Sequence, residues 1–208
     1  GRYNFDTVRF KYFKDDSVRL EGLKAGQYDF VHENIARNWA RAYPADILAK
    51  RDLGKHEWKQ ESTAGMQGFV MNLRRAPFNH PLVRQAMVES FDFESTNARL
   101  FYGAYRRSNS FFTNSNMAAS GRPQGSELRL LQSLGNTLNP TVLSQNVPEP
   151  PQTDLKNGIR PNLIKARTLL EKAGYRYRNG KLTDRLGNPL AFEFLNAGKA
   201  YGRITAKW

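Results

Sequence analysis

The sequence predicts an α/β protein, on three observations. Residues 7–31 run strand, helix, strand with short links, as a βαβ unit does. Residues 67–90, QGFVMNLRRAPFNHPLVRQAMVES, join a short apolar run to an amphipathic helix through a Pro-Phe-Asn elbow. Residues 161–195 repeat the theme, a helix followed by an alternating apolar stretch.

In TVRFKYF, Val8, Phe10 and Tyr12 fall on one side and Arg9 and Lys11 on the other, the period of a half-buried strand. Asp15 and Asp16 offer an N-cap to the helix SVRLEGLKA, and Gly26 is placed to end it in the left-handed conformation. YDFV, residues 28–31, reads as the second strand, parallel to the first with a right-handed crossover. Residues 32–60 read as helical pieces punctuated by Pro44. Residues 61–68, ESTAGMQG, are small and polar, as a connection between lobes would be.

GFVMNL, residues 68–73, reads as a buried strand. Pro77 bars a helix through it, and Asn79 can cap a helix whose first turn tolerates Pro81. Leu82, Val83, Ala86, Met87, Ser90 and Phe91 form its apolar face, and Arg84, Gln85 and Glu89 its polar one. A break is expected near Phe91-Asp92, with more helix through ESTNARLFYG. Residues 104–160, with VPEPPQ at 147–152, are irregular except for the helical SELRLLQSL at 126–134. A stretch this long without periodicity reads as a surface excursion packed on something else. In PNLIKARTLLEKAG, Leu163, Ala166, Leu170 and Ala173 form a stripe, with Gly174 past the end as a C-cap. RNGK is turn-like, Leu190, Phe192 and Phe194 alternate as a strand, and AGKAYGRITAKW begins another helix. A chain that stops inside a helix reads as an internal piece of a longer one.

Composition narrows the function classes. With 208 residues, 39% of them hydrophobic and 12% aromatic, the chain suits a folded globule despite a mean hydropathy of -0.67. The absence of cysteine removes disulfides, thiolate nucleophiles and Cys-based zinc sites. The net charge of +13 is uneven: residues 1–60 carry 12 Lys/Arg against 9 Asp/Glu, and residues 61–208 carry 20 against 10. Such a balance fits an anionic partner, nucleic acid included, or a solvated basic face.

No motif nominates chemistry. His32, His56 and His80 lie 24 residues apart without ligand spacing. TDRLGNP lacks the alternating acids of a calcium loop and reads as a β-turn. LFYGAYRRSNSFF and YRYRNGK set aromatics among cations, which could stack bases or simply pack as cation–π pairs. Glu33 follows the end of a predicted parallel strand, where ligand sites collect.

Three strings in order carry a resemblance: AGQYDF after a helix, FVMNLRRAPFNHPLVRQAMVESFDFE, and KARTLLEKAGY followed by GNPLAFEFL. They resemble the bacterial extracellular solute-binding proteins of ABC importers, family 5, the oligopeptide/dipeptide binders. GRYNFDTVRFKYFKDD, ENIARNWA and LFYGAYRRSNSFF are most similar to the YejA-like branch associated with microcin C and oligopeptide uptake. The resemblance implies parts of the two lobes of a type II periplasmic-binding (Venus flytrap) fold with mixed sheets, residues 1–62 in the first lobe and 63–208 in the second, peptide-binding one. It implies a non-catalytic periplasmic subunit, with a signal peptide upstream, that captures a peptide between its lobes and delivers it to an inner-membrane permease. It implies a monomer at full length, with no cofactor, no metal and no nucleic acid. The acidic residue that holds the peptide's amino terminus is expected beyond Trp208. Within the chain, Glu33, Asn34, Asn38, Trp39 and, beside the hinge, Asn72 are the expected peptide-binding residues. Each has a local alternative: pairing for Glu33, capping for the asparagines, core packing for Trp39. A basic nucleic-acid-binding domain is the alternative for the whole chain.

Overall fold

The computed structural model describes residues 4–154, 156–196, 199–206 and 208. They divide into two units: Gly1–Lys59 with Ala98–Ala104, and Gln60–Asn97 with Tyr105–Trp208.

The first unit holds three helices, α1 (Asp16–Lys24), α2 (Ala36–Arg41) and α3 (Ala45–Lys50). Asp15 caps α1, its carboxylate accepting from the amides of Ser17 at 2.8 Å and Val18 at 3.2 Å. Gly26 follows α1 with φ +73°, the left-handed geometry expected of it. Pro44 stands before α3, as its punctuating position predicts. Leu23 is the buried apolar residue of this unit. Phe13 packs its ring 5.5 Å from that of Tyr28, whose hydroxyl donates to the Arg19 carbonyl.

The second unit holds α4 (Pro81–Glu89), α5 (Phe93–Leu100, its end from Ala98 counted with the first unit), α6 (Gly125–Ser133), α7 (Thr141–Ser144), α8 (Arg160–Lys172) and α9 (Lys199–Thr205). Helix α4 packs on α8. Their seam is the best-buried part of the molecule: Val83 is 1% exposed and Ala86 2%, facing the buried Ala166. Asp92 supplies the predicted break between α4 and α5 and caps the latter through the Ser95 amide at 3.0 Å. A second cluster is aromatic. Phe69, Phe194 and Trp208 lie within 5.2–5.7 Å of one another, Phe91 joins at Trp208, and Phe192 links Phe194 to Phe78. The Trp208 indole N–H donates to Ser90 Oγ at 2.8 Å. Residues 104–154 and 156–159 are irregular apart from α6, a 3-10 turn at Gly135–Thr137 and the short α7.

The only sheet among the described residues is a hairpin of β1 (Arg176–Arg178) and β2 (Lys181–Thr183). Asn179 at φ 47° and Gly180 at φ 79° form its two-residue turn, the geometry that Asn-Gly favours. The hairpin was not among the expected strands, although RNGK carried its turn.

The expected strands are corrected. Residues 7–13, 28–31, 68–73 and 190–194 are not in strands, so no parallel βαβ unit forms at 7–31. Tyr12 is 90% exposed and Val70 98%. Alternation describes which side chains could share a face, but a strand exists only where a neighbour completes its hydrogen bonds. Two smaller corrections concern helices. The N-cap of α4 is His80, not Asn79: its Nδ1 accepts from the Leu82 amide at 3.2 Å. On α8 the buried residues are Asn162 and Ala166, while Leu163 is exposed. Asn162 is drawn inward because its amide donates to the Gln152 carbonyl at 3.1 Å, which rotates the start of the stripe by one position.

Candidate functional site

The segment after residue 31 builds a polar centre around Glu33 in the first unit. The Glu33 side chain is 3% exposed. One oxygen accepts from the Ile35 amide at 2.9 Å and from Arg19 Nη2 at 3.4 Å. The other accepts from the Tyr43 hydroxyl at 2.7 Å and Asn38 Nδ2 at 3.3 Å. Burial alone would raise the carboxyl's pKa; the donors from Tyr43, Ile35 and Asn38 and the Arg19 charge outweigh it, and the net shift is downward. Tyr43 moves the opposite way, raised by burial and by the carboxylate it donates to. Glu33 therefore stays ionised and fully engaged, and it ties the start of α2 to α1 and to Tyr43.

Trp39, one turn along α2 from Ile35, points its indole N–H at Glu57 Oε1, 2.9 Å away. Lys55 Nζ lies 4.2 Å from the Trp39 ring centroid and donates to the Trp39 carbonyl at 2.5 Å. In the extended run 55–58, Lys55 and Glu57 engage Trp39, while His56 and Trp58 pair with each other at 5.8 Å. Beside them lies a cavity of about 200 Å³ lined by Glu33, Trp39, Tyr43, Lys55, Phe30 and Trp58 among others.

The structure thus brings Glu33, Asn38 and Trp39 together. Asn34 is exposed beside them. Asn72 lies in the second unit, exposed, with its side chain accepting from the Arg74 amide at 3.1 Å in a local turn. Sequence reasoning missed Arg19, Tyr43, Lys55, Glu57 and Trp58. The signal for the last three was the alternation in KHEW, a charged pair on one side and a ring pair on the other.

The chemistry available here is recognition. Aromatic walls, one ammonium and engaged carboxylates can hold an apolar or amide-bearing ligand. Among the described residues no cluster of His, Asp or Glu is arranged to hold a metal ion, and no helix is long and apolar enough to cross a membrane.

Residues 1–206 match the family model of bacterial extracellular solute-binding proteins, family 5 Middle. The chain is similar to "Uncharacterized protein YejA" of Escherichia coli, 39% identical over 196 residues, which are 94% of this chain and 32% of that protein. It is 35% identical over 198 residues to "Probable peptide-binding protein YejA" of Agrobacterium fabrum, again 94% of this chain and 32% of the other. "Peptidoglycan-binding protein YepA" of the same organism is 32% identical over 212 residues, 98% of this chain and 34% of the relative. The chain spans about a third of the length of the curated relatives it matches.

Proposed function

Because this chain belongs to the bacterial extracellular solute-binding proteins, family 5, we propose that it is part of the peptide-capturing subunit of an ABC importer, binding its ligand without altering it. The observation that carries the reading is the match over residues 1–206, supported by the peptide-binding name of an Agrobacterium relative. In this reading the protein has a type II periplasmic-binding fold, residues 1–62 contribute to one lobe and 63–208 to the other, and a peptide is held as the lobes close. The extended runs at 7–13, 68–73 and 190–194 are then strands whose ladder partners lie in the remainder of a longer polypeptide. The loaded protein works in the periplasm, reached through a signal peptide, and docks on a membrane permease.

Asn38 and Trp39 are the contact residues in this scheme, with Asn34 beside them and Asn72 as a contributor from the second unit. Glu33 acts through Asn38, whose amide it orients, so its role is positioning. Lys55, held over the Trp39 ring and bonded to the Trp39 carbonyl, borders the cavity as a cation that a peptide carboxylate would meet.

The deciding experiment is calorimetry of the full-length protein with a peptide mixture recovered from the purified protein by native mass spectrometry. Asn38→Ala and Trp39→Ala are expected to weaken binding by about tenfold each, since a lost hydrogen bond or ring contact costs about 1–1.5 kcal/mol. Unchanged affinity in both folded variants would rule out this placement. Muropeptides and a microcin C-type peptide nucleotide, offered in competition, would separate a cell-wall ligand from a peptide antibiotic. A steep loss of affinity with salt would instead support the nucleic-acid alternative.

A further inference from the structure

The hairpin breaks a local rule. Its antiparallel register sets Arg176 opposite Thr183, Tyr177 opposite Leu182 and Arg178 opposite Lys181. Side chains alternate between faces, so Arg176, Arg178 and Lys181 share one face and Tyr177 and Leu182 the other. Like charges directly opposite each other cost stability, yet Arg178 and Lys181 stand so on either side of the Asn179-Gly180 turn. The ion pairs among the described residues, Arg19 with Asp16 and Glu33, Lys24 with Glu21 and Arg167 with Glu171, do not involve them. The nearby Asp184 carboxylate is occupied by the amides of Leu186 and Asn188 and by Asn188 Nδ2. All of β1 is exposed, Tyr177 at 69%. Arg176 is oriented, donating to the Glu171 carbonyl at 2.7 Å and the Tyr175 carbonyl at 3.0 Å at the end of α8. Lys172 and Arg185 flank the hairpin in sequence, so residues 172–185 carry five Lys/Arg against one Asp.

We propose that this hairpin is a docking surface for the phosphate groups of an anionic phospholipid membrane. A repulsive pair held in place on an exposed turn is relieved by an anionic partner. Three cations on one face suit a plane of phosphates. A single-stranded nucleic acid would call for successive ring platforms beside the cations, and the cationic face of the hairpin, Arg176, Arg178, Lys181 and Thr183, carries no ring. The family description is extracellular, so the membrane surface is within reach of the protein, and the contact is peripheral.

The test is co-sedimentation of the full-length protein with vesicles of phosphatidylglycerol and phosphatidylethanolamine, against vesicles of phosphatidylcholine, at about 0.1 M salt. Binding is expected to the anionic vesicles and to fall with salt. The triple variant Arg176→Ser/Arg178→Ser/Lys181→Ser is expected to lose on the order of 100-fold in partitioning, from the usual contribution of one cation at an anionic surface. Arg106→Ser/Arg122→Ser/Arg129→Ser, with the same change in net charge at exposed positions elsewhere, is expected to keep binding within about threefold. Equal loss in both variants would overturn the proposal in favour of general charge attraction. So would equal binding to neutral vesicles, or binding to double-stranded DNA as tight as to anionic vesicles. Circular dichroism of each variant checks that the fold is retained.

Discussion

Glu33 shows how a single residue that looked available becomes committed. Placed after an apolar run, it suits a ligand contact, and nothing in the string HENIARNWARAY reveals that Tyr43 and Arg19 will converge on it. Four donors satisfy its two oxygens. Glu33→Gln removes the charge that strengthens those bonds and is expected to cost about 2 kcal/mol, measured by urea unfolding at pH 7. The same residue sets a pH dependence. Its folded pKa lies below the unfolded value of roughly 4.3, so folding favours the ionised form. The stability it contributes is complete above that value and is lost as pH falls through the lower folded value. Unfolding midpoints compared between pH 5 and pH 3 should therefore drop more in the native protein than in the Glu33→Gln variant; equal drops would show that other carboxylates carry the acid sensitivity.

Helices were the legible elements because their signals are local. Asp15, Gly26, Pro44 and Gly174 act within a turn of their own position, and each stands where its chemistry requires. Gly26→Ala is expected to destabilise by about 1–2 kcal/mol, since an L-residue at φ +73° is strained; the added Cβ would also fall 1.6 Å from an Arg51 guanidinium nitrogen. His80 was missed as a cap because its role depends on which ring nitrogen faces the Leu82 amide. His80→Ala should cost about 1 kcal/mol and His80→Asp little, since aspartate supplies the same acceptor. Val83→Ala, in the α4–α8 seam, should cost about 2 kcal/mol through the cavity it leaves. Thermal unfolding of the four single variants distinguishes the contributions.

For the whole molecule the dominant fact is area. Among the described residues the buried apolar side chains are few: Leu23 in the first unit, and Val83, Ala86 and Ala166 in the second. Phe10, Tyr12, Val70 and Leu195 are among the large apolar side chains left in water. Burial on this scale gives each unit little hydrophobic stabilisation of its own. Expressed alone, the 208 residues should bind a hydrophobic dye more strongly and unfold less steeply than a polypeptide of the relatives' length. Hydrogen exchange offers the finer measurement. Amides at 8–12 and 69–73 should be protected in the longer polypeptide and unprotected in this chain; equal exchange in both would end the assignment of those runs to sheets.

By itself the sequence determined the longer helices, the Asp15 cap and the Gly26 and Gly174 stops, the Asn-Gly turn, the lack of a nucleophile motif or metal spacing, and the family, because each is written in residues near one another or in ordered strings. The tertiary structure alone decided that the alternating runs make no ladders within these residues, that Glu33 is enclosed by Tyr43 and Arg19, and that three cations share a hairpin face. Those facts depend on what lies across space from each residue, and neither hydrogen-bond partners nor buried area can be read from a neighbour in the chain.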